Sequence, residues 1–259
     1  MPRLSSLSRS IKGKVAIVTG AASGMGRATA QLFADEGAHV AVTDLDLTKV
    51  QVVVDEIVAA GGSAHGWKLD VTNPADRQTT VSQVSSRWGG IDILVNNAGI
   101  AIETPVNADD FETIWDKTFA VLLTAQVQLI RDCLPELENS DGGRIINIAS
   151  TEGLGATKGI SPYTAAKTGV IGLTRSLAVE LGTKNITVNC ICPGPISTGM
   201  TSDIPAESKA EFARRRVAIK RYGDPEEVAH GTLNFALPAA SYMTGVVLPV
   251  DGGLTIKNA

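Results

Sequence analysis

Short apolar runs alternate with longer amphipathic segments along most of the chain. The apolar runs are rich in Val and Ile and show little alternation with polar residues, which is typical of strands buried on both faces. Predicted strands cover residues 15–19, 39–43, 64–69, 91–96, 144–149, 187–192 and 245–250, and predicted helices cover residues 24–36, 47–60, 74–88, 110–138, 162–181 and 225–237. This order predicts an α/β fold in which a parallel sheet is covered by helices on both faces.

Local residues support several helix ends. Asn73 and Asp224 each precede a proline, a pairing typical of a helix N-cap followed by its first turn. Glycines that follow predicted helices are expected to adopt the left-handed conformation that closes a helix. These glycines are Gly37, Gly61 and Gly182.

No linker, repeat or low-complexity tract divides the chain, so residues 13–259 are predicted to form a single domain. Residues 1–12 contain several serines and two arginines and are interpreted as a flexible tail rather than a presequence. Residues 194–222 interrupt the alternation before the last strand. Because a long connection at that place is often a substrate lid, a lid is predicted there.

Composition limits the kinds of partner. Of the 259 residues, 44% are hydrophobic and 19% are charged, which suits a globular protein with a large core. The net charge of −4 gives no basic field that would attract nucleic acid or an anionic membrane, and no apolar run approaches the about 20 residues of a membrane span. We expect a cytoplasmic protein without either partner. Cys133, Cys190 and Cys192 lack metal-ligand spacing, so no metal site is expected. Cys190 and Cys192 lie in an apolar run and are expected to be buried strand thiols.

A glycine-rich turn follows the first predicted strand and opens a helix. Glycines at 20, 24 and 26 permit a tight turn and a close approach of the helix N-terminus to a pyrophosphate. Asp44, at the end of the second strand, is placed to accept hydrogen bonds from an adenosine ribose. A plain strand–turn–helix is the alternative, but the acidic residue at this spacing favours a dinucleotide site.

Asp44 also predicts which nicotinamide cofactor binds. Its carboxylate would repel the 2′-phosphate of NADP, which requires an Arg or Lys partner. The neighbouring Leu45 and Ser23 supply no cation, and Arg27 is interpreted as a surface charge at the helix start. NAD is therefore the predicted cofactor.

Ser150, Tyr163 and Lys167 indicate proton transfer at an alcohol or carbonyl oxygen. Tyr163 and Lys167 are one helical turn apart, and Ser150 comes from the end of a neighbouring strand. A phenol has a pKa of about 10, too high for a base near neutrality, and a nearby ammonium would stabilise the phenolate. The tyrosine–lysine spacing is common, so its meaning depends on the cofactor motif.

These motifs follow one another in a fixed order: TGxxxGxG at 19–26, NNAG at 96–99, Ser150, YxxxK at 163–167, PG at 193–194 and VDGG at 250–253. The ordered set resembles the short-chain dehydrogenase/reductase family over about residues 14–253. The resemblance implies a Rossmann-type, doubly wound, seven-stranded parallel sheet, a nicotinamide cofactor, a homotetramer or less often a dimer, and the interconversion of an alcohol and a carbonyl group.

The resemblance also implies roles for particular residues. Tyr163 would be the acid/base, Ser150 would hold the substrate oxygen, and Lys167 would also contact the nicotinamide ribose. Asp70 and Val71 match positions that contact adenine, and residues just past 193–194 match positions that hold the carboxamide. The cofactor-binding residues expected in total are Gly20, Ser23, Gly24, Met25, Gly26, Asp44, Leu45, Asp70, Val71, Asn97, Ala98, Gly99, Tyr163, Lys167, Pro193, Gly194, Ile196 and Thr198.

One position departs from the family pattern. Where the family usually has an asparagine in the fourth helix, this chain has Leu122. In the family that asparagine distorts the helix, and its main-chain carbonyl holds a water that connects the lysine to solvent. Leu122 keeps the carbonyl but lacks the amide. The hypothesis is that the proton relay persists through the backbone carbonyl or another water; weak or absent turnover is the alternative.

The substrate end offers fewer signals. Glu152, just beyond Ser150, is either a hydroxyl-binding carboxylate or a solvent-facing loop residue. Arginines at 214–216 are interpreted as a solvated or subunit-contact surface. The leading interpretation is an NAD-dependent oxidoreductase acting on a secondary alcohol or its ketone. The alternatives are a 3-oxoacyl-type reductase and a non-catalytic NAD(H)-binding protein.

Overall fold

A computed structural model describes residues 4–258. Within this part of the chain, seven strands form a single sheet in the order β3-β2-β1-β4-β5-β6-β7. Every pairing in it is parallel. The strands are β1 (Val15–Thr19), β2 (His39–Asp44), β3 (Ser63–Lys68), β4 (Ile93–Asn96), β5 (Arg144–Ile148), β6 (Thr187–Pro193) and β7 (Val247–Val250). The predicted parallel sheet and Rossmann-type topology are confirmed.

Helices cover both faces of the sheet. They are α1 (Gly24–Asp35), α2 (Leu47–Ala59), α3 (Pro74–Trp88), α4 (Phe111–Phe119), α5 (Ala125–Asn139), α6 (Ser161–Leu181), α7 (Ala206–Arg216) and α8 (Pro225–Ala236). Successive residues of a strand point to opposite faces, so β1 contributes Ala16 and Val18 to a core beneath α1, α2 and α8. Val15 and Ile17 contribute to a second core beneath α3, α5 and α6. Both sides of β1 are therefore buried, as its continuous apolar sequence predicts.

The long helix predicted over residues 110–138 is interrupted. A π-helical turn, Ala120–Thr124, lies between α4 and α5, where the Ala125 N–H donates to the Ala120 carbonyl. A π-turn adds one residue to the helical ring and is frequent at functional sites. It changes which side chains beyond residue 124 face the sheet.

Two other predictions about local structure are wrong. Gly182 is not a left-handed helix end: its φ is −57°, the chain continues as a short 3₁₀ turn, and Asn185 adopts the left-handed conformation with φ 59°. Residues 194–222 also contain a helix, α7, that was not predicted. Gly37 and Gly61 do have positive φ, at 83° and 87°.

The start of the described chain contacts the body of the protein. Ile11 is fully buried in the core, and the Ala239 N–H donates to the Ser8 carbonyl at 2.9 Å. Residues 1–3 of the predicted tail lie outside the described residues. In the part that is described, no helix has the length and apolar character needed to cross a membrane.

Candidate active site

A cleft of about 720 Å³ opens where the sheet order reverses, at the carboxyl ends of β1 and β4. Ligands of doubly wound sheets bind in this crevice because the helices that follow β1 and β4 lie on opposite faces of the sheet. Predicted residues that line the cleft are Gly20, Ser23, Gly24, Met25, Asp44, Leu45, Asp70, Val71, Asn97, Ala98, Gly99, Tyr163, Lys167 and Thr198.

Other predicted residues lie behind the cleft wall. A Cβ on Gly26 would lie 2.2 Å from the Gly20 carbonyl oxygen, so Gly26 permits the packing of the turn. Gly194 is packed in the same way against Asp251, because a Cβ on Gly194 would lie 2.7 Å from the Asp251 Cα. Pro193 ends β6, and Ile196 is buried and forms a bridge with Gly223. These residues shape the site without lining it.

The glycine turn is held by hydrogen bonds from the end of β4. The Asn97 side-chain Nδ2 donates to the Thr19 and Gly20 carbonyls at 2.8 and 3.2 Å. Thr19 Oγ1 accepts from the Asn97 and Ala98 N–H groups at 2.9 and 3.0 Å. Gly20 and Gly24 have φ of 64° and 54°, which favour glycine. The N-terminal N–H groups of α1 thus open on the cleft, as an anion requires.

The Asp44 carboxylate is fixed at the cleft edge. Its Oδ2 accepts from the Ala22 N–H at 3.1 Å and its Oδ1 from the Leu45 N–H at 2.7 Å. Arg27, in the first turn of α1, forms a two-point ion pair with Glu56, with distances of 3.1 Å from Nε and 2.6 Å from Nη2. The edge therefore presents an oriented negative charge, and the guanidinium of Arg27 is already paired.

Ser150, Tyr163 and Lys167 are brought together by β5 and α6. Ser150 follows β5 in extended conformation, while Tyr163 and Lys167 occupy the first two turns of α6. Lys167 is buried, its Nζ donates to the Ile148 carbonyl at 2.7 Å and lies 5.7 Å from the centroid of the Tyr163 ring. A hydroxyl, a phenol and an ammonium therefore meet beside the dinucleotide cleft.

Comparison with known proteins agrees with this geometry. A family model described as enoyl-(acyl carrier protein) reductase matches residues 20–255. The chain is 40% identical over 250 residues to (2S)-[(R)-hydroxy(phenyl)methyl]succinyl-CoA dehydrogenase subunit BbsD of Thauera aromatica, covering 95% of this chain and 98% of that protein. It is 38% identical over 246 residues to 2,5-dichloro-2,5-cyclohexadiene-1,4-diol dehydrogenase LinX of Sphingobium indicum, covering 95% and 98%.

A solved structure is similar as well. A short-chain type dehydrogenase/reductase from Mycobacterium marinum superposes with a TM-score of 0.90 at 33% identity, covering 96% of this chain and 98% of that one. The chain belongs to the short-chain dehydrogenase/reductase family. The resemblance inferred from the ordered motifs is confirmed, and the protein is an oxidoreductase of carbonyl and hydroxyl groups that uses a nicotinamide cofactor.

Burial changes the pKa values of two groups of the candidate site. Burial raises the pKa of the Tyr163 phenol, the interaction with the Ser150 hydroxyl opposes this, and the Glu152 charge raises it further. Burial also lowers the pKa of Lys167 to about 8. The protein groups alone therefore raise the pKa of Tyr163, whereas the positive charge of Lys167 was expected to lower it. The positive nicotinamide ring of an oxidised cofactor would favour the phenolate.

Leu122 occupies the π-turn and is fully buried. It packs against the NNAG segment, since a Cβ on Gly99 would lie 3.2 Å from Leu122 Cδ2. The π-turn therefore forms although this chain has no asparagine at position 122. Ala120, Val121 and Leu122 all line the cleft.

Sequence reasoning missed several neighbours of the site. Cys192 is buried in β6 beside Lys167, and its pKa is lowered first by a hydrogen bond with Cys190. Residues two apart in a strand share a face, so the Cys-x-Cys spacing indicates that Cys190 and Cys192 point to the same side of β6. Lys117 and Met200 also line the cleft, and no motif marks either residue.

Proposed function

We propose that this protein is an NAD-dependent oxidoreductase that interconverts a secondary alcohol and its ketone, a class that includes polyols, sugars and cyclic alcohols. The observation that carries the cofactor choice is the oriented Asp44 carboxylate at the cleft edge, with Arg27 paired to Glu56. Among residues 4–258 no arginine lines the cleft, so a 2′-phosphate would meet this carboxylate without a guanidinium partner. The ribose hydroxyls of NAD can donate to it.

The chemistry follows from the three catalytic groups. Ser150 holds the substrate oxygen, and Tyr163 accepts the hydroxyl proton during oxidation or returns it during reduction. Lys167 holds the ribose and supplies positive charge beside the phenol. The bound cofactor supplies the hydride acceptor or donor. Because NAD is favoured, oxidation is the proposed physiological direction.

The surroundings of the site complete the proposal. Residues 194–222 act as a lid, and Thr198 and Met200 in this segment line the cleft. The protein is a cytoplasmic homotetramer without nucleic acid or membrane partners; exposed apolar side chains such as Val179 and Tyr242 suit subunit contacts. The arginines at 214–216 end α7, where two of them pair with Glu211, which suits a solvated surface.

A reductase of 3-oxoacyl groups is the second candidate. The chain is 38% identical over 249 residues to 3-oxoacyl-[acyl-carrier-protein] reductase FabG of Thermotoga maritima, covering 95% of this chain and 99% of that protein. Asp44 argues against it, because this activity usually goes with NADP-binding cations. The third candidate is a non-catalytic NAD(H)-binding protein, which the Leu122 departure favours and the intact Ser150, Tyr163 and Lys167 oppose.

The test combines binding and turnover. Fluorescence titration with NADH and NADPH is expected to show tighter NADH binding, and a panel of secondary alcohols assayed with NAD is expected to yield NADH. Tyr163→Phe, which removes only the phenol oxygen, should lower turnover by about 10²–10⁴-fold and leave NADH binding in place. Tight NADH binding without turnover of any alcohol would favour the non-catalytic protein instead.

A further inference from the structure

Glu152 is held close to the reacting groups by the backbone. It lies in the 3₁₀ turn Thr151–Gly153 directly after Ser150, and its N–H donates to Ser150 Oγ at 3.1 Å. The turn rests on α6, since a Cβ on Gly153 would lie 2.9 Å from the Lys167 carbonyl oxygen. The position of Glu152 is therefore fixed relative to the serine and lysine of the site.

Its carboxylate is only half satisfied by the protein. Oε1 accepts from Thr157 Oγ1 at 2.9 Å, whereas Oε2 is buried and has no hydrogen-bond partner among residues 4–258. The Glu152 charge acts on Tyr163, where it adds to the effect of burial. A buried carboxylate oxygen without a donor is costly, so a donor from a bound molecule would relieve that cost.

The charges around Glu152 restrict which chemical group of a bound molecule can donate a hydrogen bond to Oε2. An anionic group would be repelled by the carboxylate, while an ammonium group would meet the Lys167 amine and the positive ring of the oxidised cofactor. A neutral hydroxyl group avoids both of these repulsions. A hydroxyl donating to a carboxylate makes a charge-assisted bond, which is stronger than a neutral one.

Building on the proposed function, we propose that Glu152 binds a second hydroxyl group of the substrate, beside the hydroxyl that is oxidised. Ser150 and Glu152 share one short turn, so the two hydroxyls belong on neighbouring carbons. The substrates are vicinal diols, polyols or cyclic diols rather than simple alcohols or acyl thioesters. Oε1 remains with Thr157, and Oε2 receives the substrate hydroxyl.

The experiment compares cyclohexanol with its vicinal diol at saturating NAD. Wild-type enzyme is expected to prefer the diol in kcat/KM, and Glu152→Leu is expected to lower that preference by about 10- to 100-fold, as for loss of a hydrogen bond to a charged group. The ratio cancels any general loss of activity. Thr157→Val is the control, because it removes the donor to Oε1 and leaves Oε2 in place; its diol preference should stay within about threefold of wild type.

Glu152→Gln supplies a second readout. Removing the charge is expected to lower the pKa of Tyr163, so the rise of kcat/KM with pH should move to lower pH, which checks that the carboxylate lies close to the phenol. An unchanged diol preference in Glu152→Leu, or in Glu152→Gln if the leucine variant does not fold, would overturn the hydroxyl site alone. Oxidation of neither alcohol by wild-type enzyme would overturn the proposed function together with it.

Discussion

At the scale of single residues, the proposed specificity of the site rests on two carboxylates. Asp44 lines the cleft beside the glycine turn, where backbone N–H groups hold both of its oxygens. Glu152 lies in the turn directly after Ser150, and its Oε2 lacks a partner within the described chain. The oxygens of Asp44 can accept a second hydrogen bond each without moving, so ribose recognition needs no rearrangement.

Replacing Asp44 with serine should weaken the preference for NAD. The substitution removes a charged acceptor for the ribose hydroxyls and a repulsive charge for a 2′-phosphate. The ratio of kcat/KM with NAD to that with NADP is expected to fall by about 10- to 100-fold, the worth of a hydrogen bond to a charged group. Steady-state kinetics with both cofactors measure this ratio.

Asp46→Ser provides the matched control two residues away. Asp46 caps α2 by accepting from the Thr48 and Lys49 N–H groups and does not line the cleft. The loss of this cap should lower the free energy of unfolding by about 1 kcal/mol and leave the preference for NAD over NADP unchanged. If both substitutions change the ratio of kcat/KM with NAD to that with NADP equally, Asp44 does not recognise the ribose.

At the scale of elements, the π-turn explains how the site tolerates Leu122. A wide turn is a property of the backbone, here marked by the bond from the Ala125 N–H to the Ala120 carbonyl. It exists with an apolar side chain fully buried at position 122. The hypothesis of a proton relay through a backbone carbonyl of this turn therefore does not require an amide side chain at position 122.

Leu122→Asn should therefore change turnover far less than Tyr163→Phe. The new amide enters a buried apolar position and is expected to lower the free energy of unfolding by about 2–5 kcal/mol, as for loss of a packed leucine. Well below the melting temperature, kcat should stay within about tenfold of wild type, against about 10²–10⁴-fold for Tyr163→Phe. Thermal unfolding and initial rates together separate the two effects.

Leu123→Asn is the control, because it makes the same substitution at the next position of the π-turn, where Leu123 packs against Gly169 of α6. A loss in Leu122→Asn as large as that in Tyr163→Phe, with Leu123→Asn still active, would show that the side chain at 122 governs the proton relay.

The same elements show what the sequence could and could not predict. Strands such as β1 were predictable because burial on both faces requires an unbroken apolar run. Helix α7 was missed because Ala213 is its sole buried residue within the described chain, so no apolar stripe marks it. The π-turn was missed because AVLLT would suit an ordinary α-helix, and its extra residue is a matter of backbone geometry.

The candidate site was predictable for a related reason. Parallel strands end at one edge of the sheet, so residues that follow β1, β2 and β5 meet there whatever the intervening sequence. The glycine turn, Asp44 and Ser150 could be placed by this argument. The unpartnered oxygen of Glu152 and the proximity of Cys192 to Lys167 depend on side-chain packing, which no spacing specifies.

At the scale of the whole molecule, function and stability conflict at Lys167. The lysine is buried beside Tyr163, and burial lowers the pKa of the lysine from 10.5 to about 8. A base with a lowered pKa in the folded state destabilises the fold wherever the unfolded state is protonated. The penalty is therefore full below about pH 8 and disappears as pH rises through the unfolded value.

Lys167→Met should make this penalty visible. The free energy of unfolding of wild type minus that of the variant is expected to be constant below about pH 8. Above it, the difference should rise by about 1.4 kcal/mol per pH unit, because the unfolded chain then binds one more proton than the folded one. Denaturant titrations at a series of pH values between 7 and 10 measure it. Lys68→Met, at an exposed position of β3, is the control for the loss of a lysine side chain. A flat difference for Lys167→Met would mean that the lysine is protonated equally in both states, and the buried ammonium would then stabilise the phenolate of Tyr163 without help from the cofactor.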